Sequence, residues 1–131
     1  MENNTFRKKV IQMNDKNNTI SDLQAIVSKF CEDRDWRQYH NPKDLAIMIS
    51  TEASELLSIF RYKNEEDVEN IFENKKEDVE DELADVLFGV LRFAELNEID
   101  LAGALERKIG KNDVKYSVEK SYGRNEKYDE L

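Results

Sequence analysis

The sequence predicts an all-α protein, and three observations support this prediction. Glycine and proline, which punctuate turn-rich β folds, are scarce, with four Gly and one Pro in 131 residues. Charged residues make up 37% and hydrophobic residues 39%, a balance typical of helices with one solvated and one buried face. Apolar residues also recur three and four positions apart through the middle of the chain. A chain of 131 residues fits a single domain, and we expect a bundle of four to five helices.

The first ordered helix is expected to begin near Thr19, after an N-terminal arm. Residues 1–18 are rich in Asn and Lys and only weakly periodic, so we expect a flexible arm there. Thr19 is a suitable N-cap, and Asp22 stands where a capping box needs an acid. The helix is predicted to run to about Arg37, with residues 39–41 as the connection. Its apolar face is Leu23, Ile26, Val27 and Phe30.

The second long helix is predicted to open at Asn41-Pro42. Asn is a good N-cap, and Pro suits the first helical position because its missing N–H is not needed there. After residues 61–63, Asn64 can cap a short helix over residues 65–72. The inner face of the long helix is predicted to be Leu45, Met48, Ile49, Leu56, Ile59 and Phe60.

A third long helix is predicted over residues 76–96, and Asp100 is predicted to cap a fourth. From residue 117 the composition is polar, which indicates a C-terminal tail. We therefore assign the helical domain to residues 19–116 and the tail to residues 117–131. The inner face of the third long helix is predicted to be Val79, Leu83, Val86, Leu87, Val90 and Phe93.

Charge and cysteine content exclude several classes of protein. Acidic residues outnumber basic ones by 29 to 20, so binding to a nucleic-acid polymer through a basic surface is not expected. No apolar run approaches the length of a membrane span, so no membrane partner is expected either. Cys31 is the only cysteine, which precludes an intrachain disulfide and suits a cytoplasmic protein. It is expected to be a small buried hydrophobe.

Four acids fall on or beside helix faces that should be buried. Glu52 lies on the apolar stripe of the second long helix, and Glu55 lies beside it at position i+3. Glu82 and Asp85 repeat this arrangement on the third long helix. Residues three apart are neighbours on a helix surface, so each pair converges on one point.

Burying four carboxylates near one another requires compensation. The acids can be protonated, paired with basic residues, or bound to a cation. We find no basic residue within the apolar stripe of either helix, which favours the cation. Carboxylate oxygens suit Mg²⁺, with Mn²⁺ as a possible substitute. A di-iron centre would normally need histidines within the bundle, whereas the only histidine, His40, is predicted to lie on a loop.

A non-catalytic alternative remains open at this point. In a chain with 29 acidic residues, acids three apart also arise by chance on solvated faces. The chain would then be an acidic helical module that binds another protein or senses divalent ions.

The two acidic pairs and their surroundings form an ordered set of motifs. Glu52-Ala-Ser-Glu55 and Glu82-Leu-Ala-Asp85 carry the pattern ExxE followed by ExxD. Five further segments belong to the same set of motifs: residues 33–45, 59–63, 80–87, 108–116 and 121–128. Over about residues 23–128, this set resembles the MazG-like all-α nucleotide pyrophosphohydrolases, and in particular their dCTP pyrophosphatase branch.

The resemblance implies a fold, an assembly and a reaction. It implies a helical bundle assembled as a homodimer or homotetramer, with the nucleotide bound between helices. It implies Mg²⁺-dependent conversion of a nucleoside triphosphate to the monophosphate and pyrophosphate, as housecleaning of the deoxynucleotide pool. The metal-ligand and catalytic roles then pass to Glu52, Glu55, Glu82 and Asp85.

The resemblance also implies a set of substrate-binding residues. Aromatic residues and His40 would surround the base, whereas residues on the last long helix would contact phosphate or sugar and complete that wall. By spacing alone, the two lysines of this set could equally be solvated helix residues. The implied set is Trp36, His40, Tyr62, Lys108, Asn112, Lys115 and Tyr116.

Two positions depart from the cytosine-selective pattern. Val27 stands where base-contacting relatives carry His, and Gly89 stands where they carry Tyr. Loss of a polar contact and of a ring is expected to loosen or enlarge the base pocket, so that a purine such as that of dATP could be accepted. The preferred base therefore stays open, as does cleavage of another anhydride such as that of a phosphoribosyl-nucleotide.

Overall fold

The computed structural model describes residues 13–131 and confirms the all-α prediction. Within that range the regular structure consists only of helices and turns, and no helix is long and apolar enough to span a membrane. Residues 1–12 of the predicted arm lie outside the described range. The helices are α1 (Ile20–Glu32), α2 (Pro42–Phe60), α3 (Glu65–Asn74), α4 (Lys76–Leu96), α5 (Leu101–Lys115) and the short α6 (Val118–Ser121), with 3₁₀ turns at Arg37–Tyr39 and Tyr128–Glu130.

The predicted N-caps form as the sequence indicates. The backbone N–H of Asp22 donates to Thr19 Oγ1 at 3.1 Å, and the N–H of Thr19 donates to the Asp22 carboxylate at 2.9 Å. Asn41 Oδ1 caps α2, and Asn64 forms a second capping box at the start of α3. Each cap satisfies backbone donors that the first helical turn leaves unpaired. Asp100 also occupies an N-cap position, although its side chain makes no capping hydrogen bond.

Helix α1 ends earlier than the sequence predicted. It stops at Glu32 instead of about Arg37, and the chain then turns so that the N–H of Trp36 reaches back to the Cys31 carbonyl at 3.1 Å. Asp35 has φ 54°, a left-handed conformation that Asp tolerates better than most residues and that interrupts a helix. The turn moves Trp36 off the helix and into the connection to α2.

The helices up to residue 97 pack around α4, with α1, α2 and α3 all in contact with it. Helices α2 and α4 run antiparallel, because Glu52 lies beside Glu82 while the earlier residue Ile49 lies beside the later residue Gly89. The backbones approach closely there, since a Cβ at Gly89 would lie 2.7 Å from Ile49 Cγ1. The absence of a side chain at Gly89 therefore allows α2 and α4 to approach closely at this point.

Part of the predicted inner face of α4 is exposed. Val79 is buried as predicted, but Leu83 and Leu87 are 56% and 43% exposed. The apolar stripe of α4 is thus wider than the surface that its neighbours cover. The prediction that Leu83 and Leu87 point into the core of a single chain is wrong.

The chain divides into two compact units, Met1–Asn97 and Glu98–Leu131. The second unit contains α5, α6 and the C-terminal 3₁₀ turn. Within it, the rings of Tyr116 and Tyr128 meet edge to face at 6.0 Å, and Lys115 Nζ lies 4.9 Å from the centre of the Tyr128 ring. The assignment of residues 19–116 to one helical domain, catalytic according to the family resemblance, and of residues 117–131 to a tail stays a prediction.

Gly89→Ala is expected to lower the free energy of unfolding, whereas Gly110→Ala should raise it. Alanine gains up to about 1 kcal/mol over glycine in a helix, but overpacking a tight contact costs about 1–3 kcal/mol. Gly110 is a matched control because nothing lies within 4 Å of its added Cβ. Urea denaturation of both variants measures the difference, and equal stabilisation by the two substitutions would contradict the close approach.

Candidate metal and nucleotide site

The antiparallel contact between α2 and α4 brings three predicted acids together. Glu52 comes from α2, and Glu82 and Asp85 come from α4, where they are three residues apart on one face. One carboxylate oxygen of each lies within 4.8 Å of the others. Two regular α-helices thus bring together a compact group of oxygen ligands.

Glu55 completes the group from the next turn of α2. Its carboxyl interacts with those of both Glu52 and Glu82, although it is exposed and lies outside the tight set of three. Carboxylates have no proton to donate when ionised, so such contacts require a shared proton or a cation. The structure therefore brings all four predicted acids into one cluster.

The cluster lacks partners for its most buried atoms. Oε2 of Glu52 and Oε2 of Glu82 are buried and make no hydrogen bond within the described residues. Burial first, and then the neighbouring Glu55, raise the pKa of Glu82 to about 7. Burial and Glu55 also raise the pKa of Glu52, with a further contribution from Asp85. Ionisation of all four acids would place like charges next to one another, which is unfavourable without a positive charge among them.

This donor set fits a hard divalent cation. All of the atoms offered are carboxylate oxygens, the ligand type that Mg²⁺ and Mn²⁺ prefer. The buried oxygens without partners are atoms that such an ion would satisfy. Among the described residues no His or Cys, the ligands that softer metals prefer, belongs to this group.

One premise of the metal prediction needs correction. The sequence suggested no basic residue on the inner face of α4, but Arg92 is fully buried there. Arg92 pairs with Glu32 and Glu95, and it lies seven residues from Asp85, about 10 Å along the helix. It therefore leaves the four acids uncompensated, and the argument for a cation holds. An Arg three residues before Glu95 was the signal that sequence reasoning missed.

The aromatic residues predicted to surround the base, Trp36 and Tyr62, lie in the connections before and after α2. Trp36, 37% exposed, meets Phe30 edge to face at 5.6 Å and His40 at 6.2 Å. Tyr62 follows α2 in a left-handed conformation and is 90% exposed, with the Arg61 guanidinium 4.9 Å from its ring centre. Trp36 is thus held with one part of its ring accessible, whereas Tyr62 is largely free of packing.

The remaining predicted substrate residues belong to the second unit. Lys108, Asn112 and Lys115 are exposed on α5 at helical spacing, so their side chains share one surface. Tyr116 directly follows α5 and packs on Tyr128. Their contact with substrate stays a prediction.

The two departures from the cytosine-selective pattern have different surroundings. Val27 is half-buried on α1. Next to Gly89, the space is occupied by Ile49 and by the terminal methyl of Met48, 3.1 Å from the position of a Cβ. Core side chains thus fill the volume beside Gly89, and the expectation that Gly89 enlarges the base pocket stays a prediction. Cys31 is buried, as predicted, and burial raises the pKa of its thiol.

An all-α fold whose central helix pair gathers four carboxylates without a basic partner defines a class of helical proteins with a candidate site for a divalent cation. The chain belongs to the MazG-like family, whose model matches residues 47–131.

Comparison with individual proteins agrees with this assignment. Over 115 residues, the chain is 30% identical to dCTP pyrophosphatase 1 of Rattus norvegicus, covering 86% of this chain and 68% of that protein. It is 28% identical to the Homo sapiens protein of the same name over the same share of each. The crystal structure of a pyrophosphatase from Archaeoglobus fulgidus superposes with a TM-score of 0.72 at 36% identity, covering 81% of this chain and 99% of that one. The chain is thus a hydrolase of the nucleotide pyrophosphatase class.

The metal-free protein is expected to lose stability as the pH rises from about 4.5 to about 7. The ordinary pKa of Glu82 is 4.5 and folding raises it to about 7. The folded state therefore retains a proton that the unfolded state has released, and raising the pH favours unfolding across this window. Glu82→Gln should weaken that dependence and raise the melting temperature above pH 7.

Thermal denaturation in a chelator at several pH values measures this effect. Asp81→Asn, a change at an exposed acid on the same helix, should retain the wild-type pH dependence. A Glu82→Gln protein as pH-sensitive as the wild type would show that Glu82 does not carry the proton.

Proposed function

We propose that the chain is a Mg²⁺-dependent pyrophosphohydrolase that converts a nucleoside or deoxynucleoside triphosphate to the monophosphate and pyrophosphate. The observation that carries the proposal is the cluster of Glu52, Glu55, Glu82 and Asp85, with two buried oxygens that lack partners. The family supplies the reaction class, and relatives named dCTP pyrophosphatase 1 support a deoxynucleotide substrate, dCTP or a related one.

The charge of the chain makes a cation necessary for this reaction. A triphosphate is strongly anionic, and the protein carries a net charge of −9 with four acids at the site. Bound Mg²⁺ would polarise the phosphate oxygens and lower the pKa of a bound water. Without a cation, the carboxylates would repel the substrate.

We assign the acids different roles according to their exposure. Glu52 and Glu82, each with a buried oxygen, and Asp85 would hold the cation. Glu55 is exposed yet in contact with the cluster, so it is placed to accept a proton from the attacking water. The water oxygen would bond to the α-phosphorus, the bond to the bridging oxygen would break, and pyrophosphate would leave with that oxygen.

The nucleoside would be bound by the residues that the family resemblance selects. The accessible part of Trp36 offers one stacking surface, and the exposed ring of Tyr62 offers a second. The exposed row of Lys108, Asn112 and Lys115 suits phosphate or sugar contacts, and Tyr116 would extend it. We propose a housecleaning role in the deoxynucleotide pool of the cytoplasm.

A homodimer or homotetramer would explain the exposed apolar residues of α4. Leu83 and Leu87 form part of an apolar cavity on the helix surface, with Val86 and Val90 as neighbours. Burial of such a patch in a second copy would remove it from water.

Leu83→Glu is expected to shift the protein toward the monomer, because it places a charge within the apolar patch. Sedimentation equilibrium measures the change. Val114→Glu, at an 85% exposed position, is the control and should leave the assembly unchanged. A Leu83→Glu protein with wild-type mass in solution would refute this interface.

Hydrolysis should require both Mg²⁺ and the cluster. Separation of the products by ion-exchange chromatography, over all common ribo- and deoxynucleoside triphosphates, should show monophosphate and pyrophosphate. Glu82→Gln and Asp85→Asn should each lower kcat/KM by about 100-fold or more, because each removes a ligand of the cation. The kcat/KM of Asp81→Asn should stay within about twofold of the wild-type value, because this substitution changes a surface residue outside the site.

The rival functions give different outcomes. Binding of Mg²⁺ without turnover of any nucleotide would favour the ion-sensing module. Cleavage of a phosphoribosyl-nucleotide alone would move the substrate class within the same chemistry. Wild-type turnover by both Glu82→Gln and Asp85→Asn would mean that the metal site is misplaced.

A further inference from the structure

Arg92 is a buried cation that the metal cluster does not use. Its side chain is fully buried in α4, and all three of its nitrogens donate. Nη2 donates to Glu32 of α1 at 3.1 Å, and Nη1 donates to Glu95 of α4 at 3.3 Å. Nε donates to Nδ1 of His40 at 3.0 Å. One side chain thus ties α1, α4 and the connection before α2 together.

The last of these hydrogen bonds fixes the chemical form of His40. Arginine remains protonated and has only donors, so Nδ1 of His40 must present a lone pair. The imidazole is then neutral, and its proton is on Nε2. Among the described residues Nε2 has no hydrogen-bond partner, and the ring is only partly buried. Nε2–H is therefore a donor available to a ligand.

Taken together, burial and the charges around His40 lower its pKa. Burial is the largest influence and lowers the pKa of His40, and the adjacent Arg92 lowers it further. Glu32 of α1 opposes them, and Glu95 neutralises the far side of the guanidinium. The neutral ring is consequently the dominant form at neutral pH.

His40 also ends a chain of aromatic contacts. Its ring lies 6.2 Å from that of Trp36, Trp36 lies 5.6 Å from Phe30, and Phe30 lies 5.9 Å from Phe88 of α4. The connection between α1 and α2 is therefore held to α4 twice, through Phe88 and through Arg92. Phe88 and Arg92 are four residues apart and lie on one face of that helix.

We propose that Arg92 is a positioning residue that holds His40 as a neutral Nε2–H donor beside Trp36, so that the pair reads an acceptor atom of the bound nucleoside. The inference rests on the proposed nucleotide pyrophosphohydrolase function. Arg92 acts through His40 and touches neither substrate nor cation. Asp85 of the acidic cluster lies two helical turns from Arg92. We therefore expect Arg92 to influence substrate binding and not the binding of the cation.

The wild-type protein gives the first test, because His40 is its only histidine. A ¹⁵N long-range correlation spectrum of the imidazole should show an unprotonated Nδ1 and a protonated Nε2 at pH 7. Titration should place the pKa of His40 below 6.5. A protonated Nδ1, or a charged ring at pH 7, would overturn the proposal without any activity measurement.

Arg92→Met gives the second test. Loss of the donor and of the positive charge should raise the pKa of His40 and free its tautomer. KM should then rise about tenfold, the scale of one lost hydrogen bond, with kcat changed less than about threefold. Arg92→Lys, which keeps the charge and donates differently, should recover part of the loss. Arg37→Met, at an exposed arginine in the adjacent 3₁₀ turn, is the matched control and should match the wild type.

The outcomes separate this inference from the proposed function. A wild type without turnover overturns the proposed function and the nucleoside-reading role of Arg92 with it. Turnover with an unchanged KM in folded Arg92→Met overturns the positioning role alone. Equal losses of kcat and stability, with KM and the His40 tautomer unaltered, would reduce Arg92 to a structural residue. If Arg92→Met does not fold, the wild-type spectrum and the KM of Arg92→Lys decide.

Discussion

The close antiparallel contact between α2 and α4 is the constraint on which the site depends. Gly89 lets the two backbones approach, with Ile49 taking the space that a side chain at position 89 would occupy. The same contact forces Glu52 against Glu82 and Asp85 one to two turns away. Apolar packing of the helix pair thus offsets the repulsion of the acids that it brings together. An electrostatic conflict of this kind is a common feature of functional sites, which give up local stability for chemistry.

Helix α4 carries two groups of buried polar atoms, and they differ in whether they have hydrogen-bond partners. In the carboxylate cluster, one buried oxygen of Glu52 and one of Glu82 have no hydrogen-bond partner among the described residues, and the pKa values of both acids are raised. Two turns further along, Arg92 is buried with three acceptors and is fully satisfied. The first arrangement suits a divalent cation, which would satisfy the buried oxygens. The second suits a fixed frame for the connection that carries Trp36 and His40.

Local features of the chain predicted much of this structure. The capping residues Thr19, Asn41 and Asn64 marked helix starts because a cap is a local interaction of a few residues. The acid pairs were found because residues three apart must share a helix face. By contrast, the early end of α1, the exposure of Leu83 and the burial of Arg92 depend on which helices become neighbours. Such tertiary contacts leave little signal in periodicity, and a pattern does not specify what covers each face.

The central claim is that the four carboxylates require a divalent cation, and calorimetric titration of Mg²⁺ into metal-free protein tests it most directly. At pH 7, in two buffers of different ionisation enthalpy, the account predicts saturable binding coupled to proton release. Glu82, with a pKa near 7, must give up its proton to bind the ion. Glu52→Gln should weaken that binding. Saturable binding that releases no proton and survives Glu52→Gln, or no binding at all, would contradict the account.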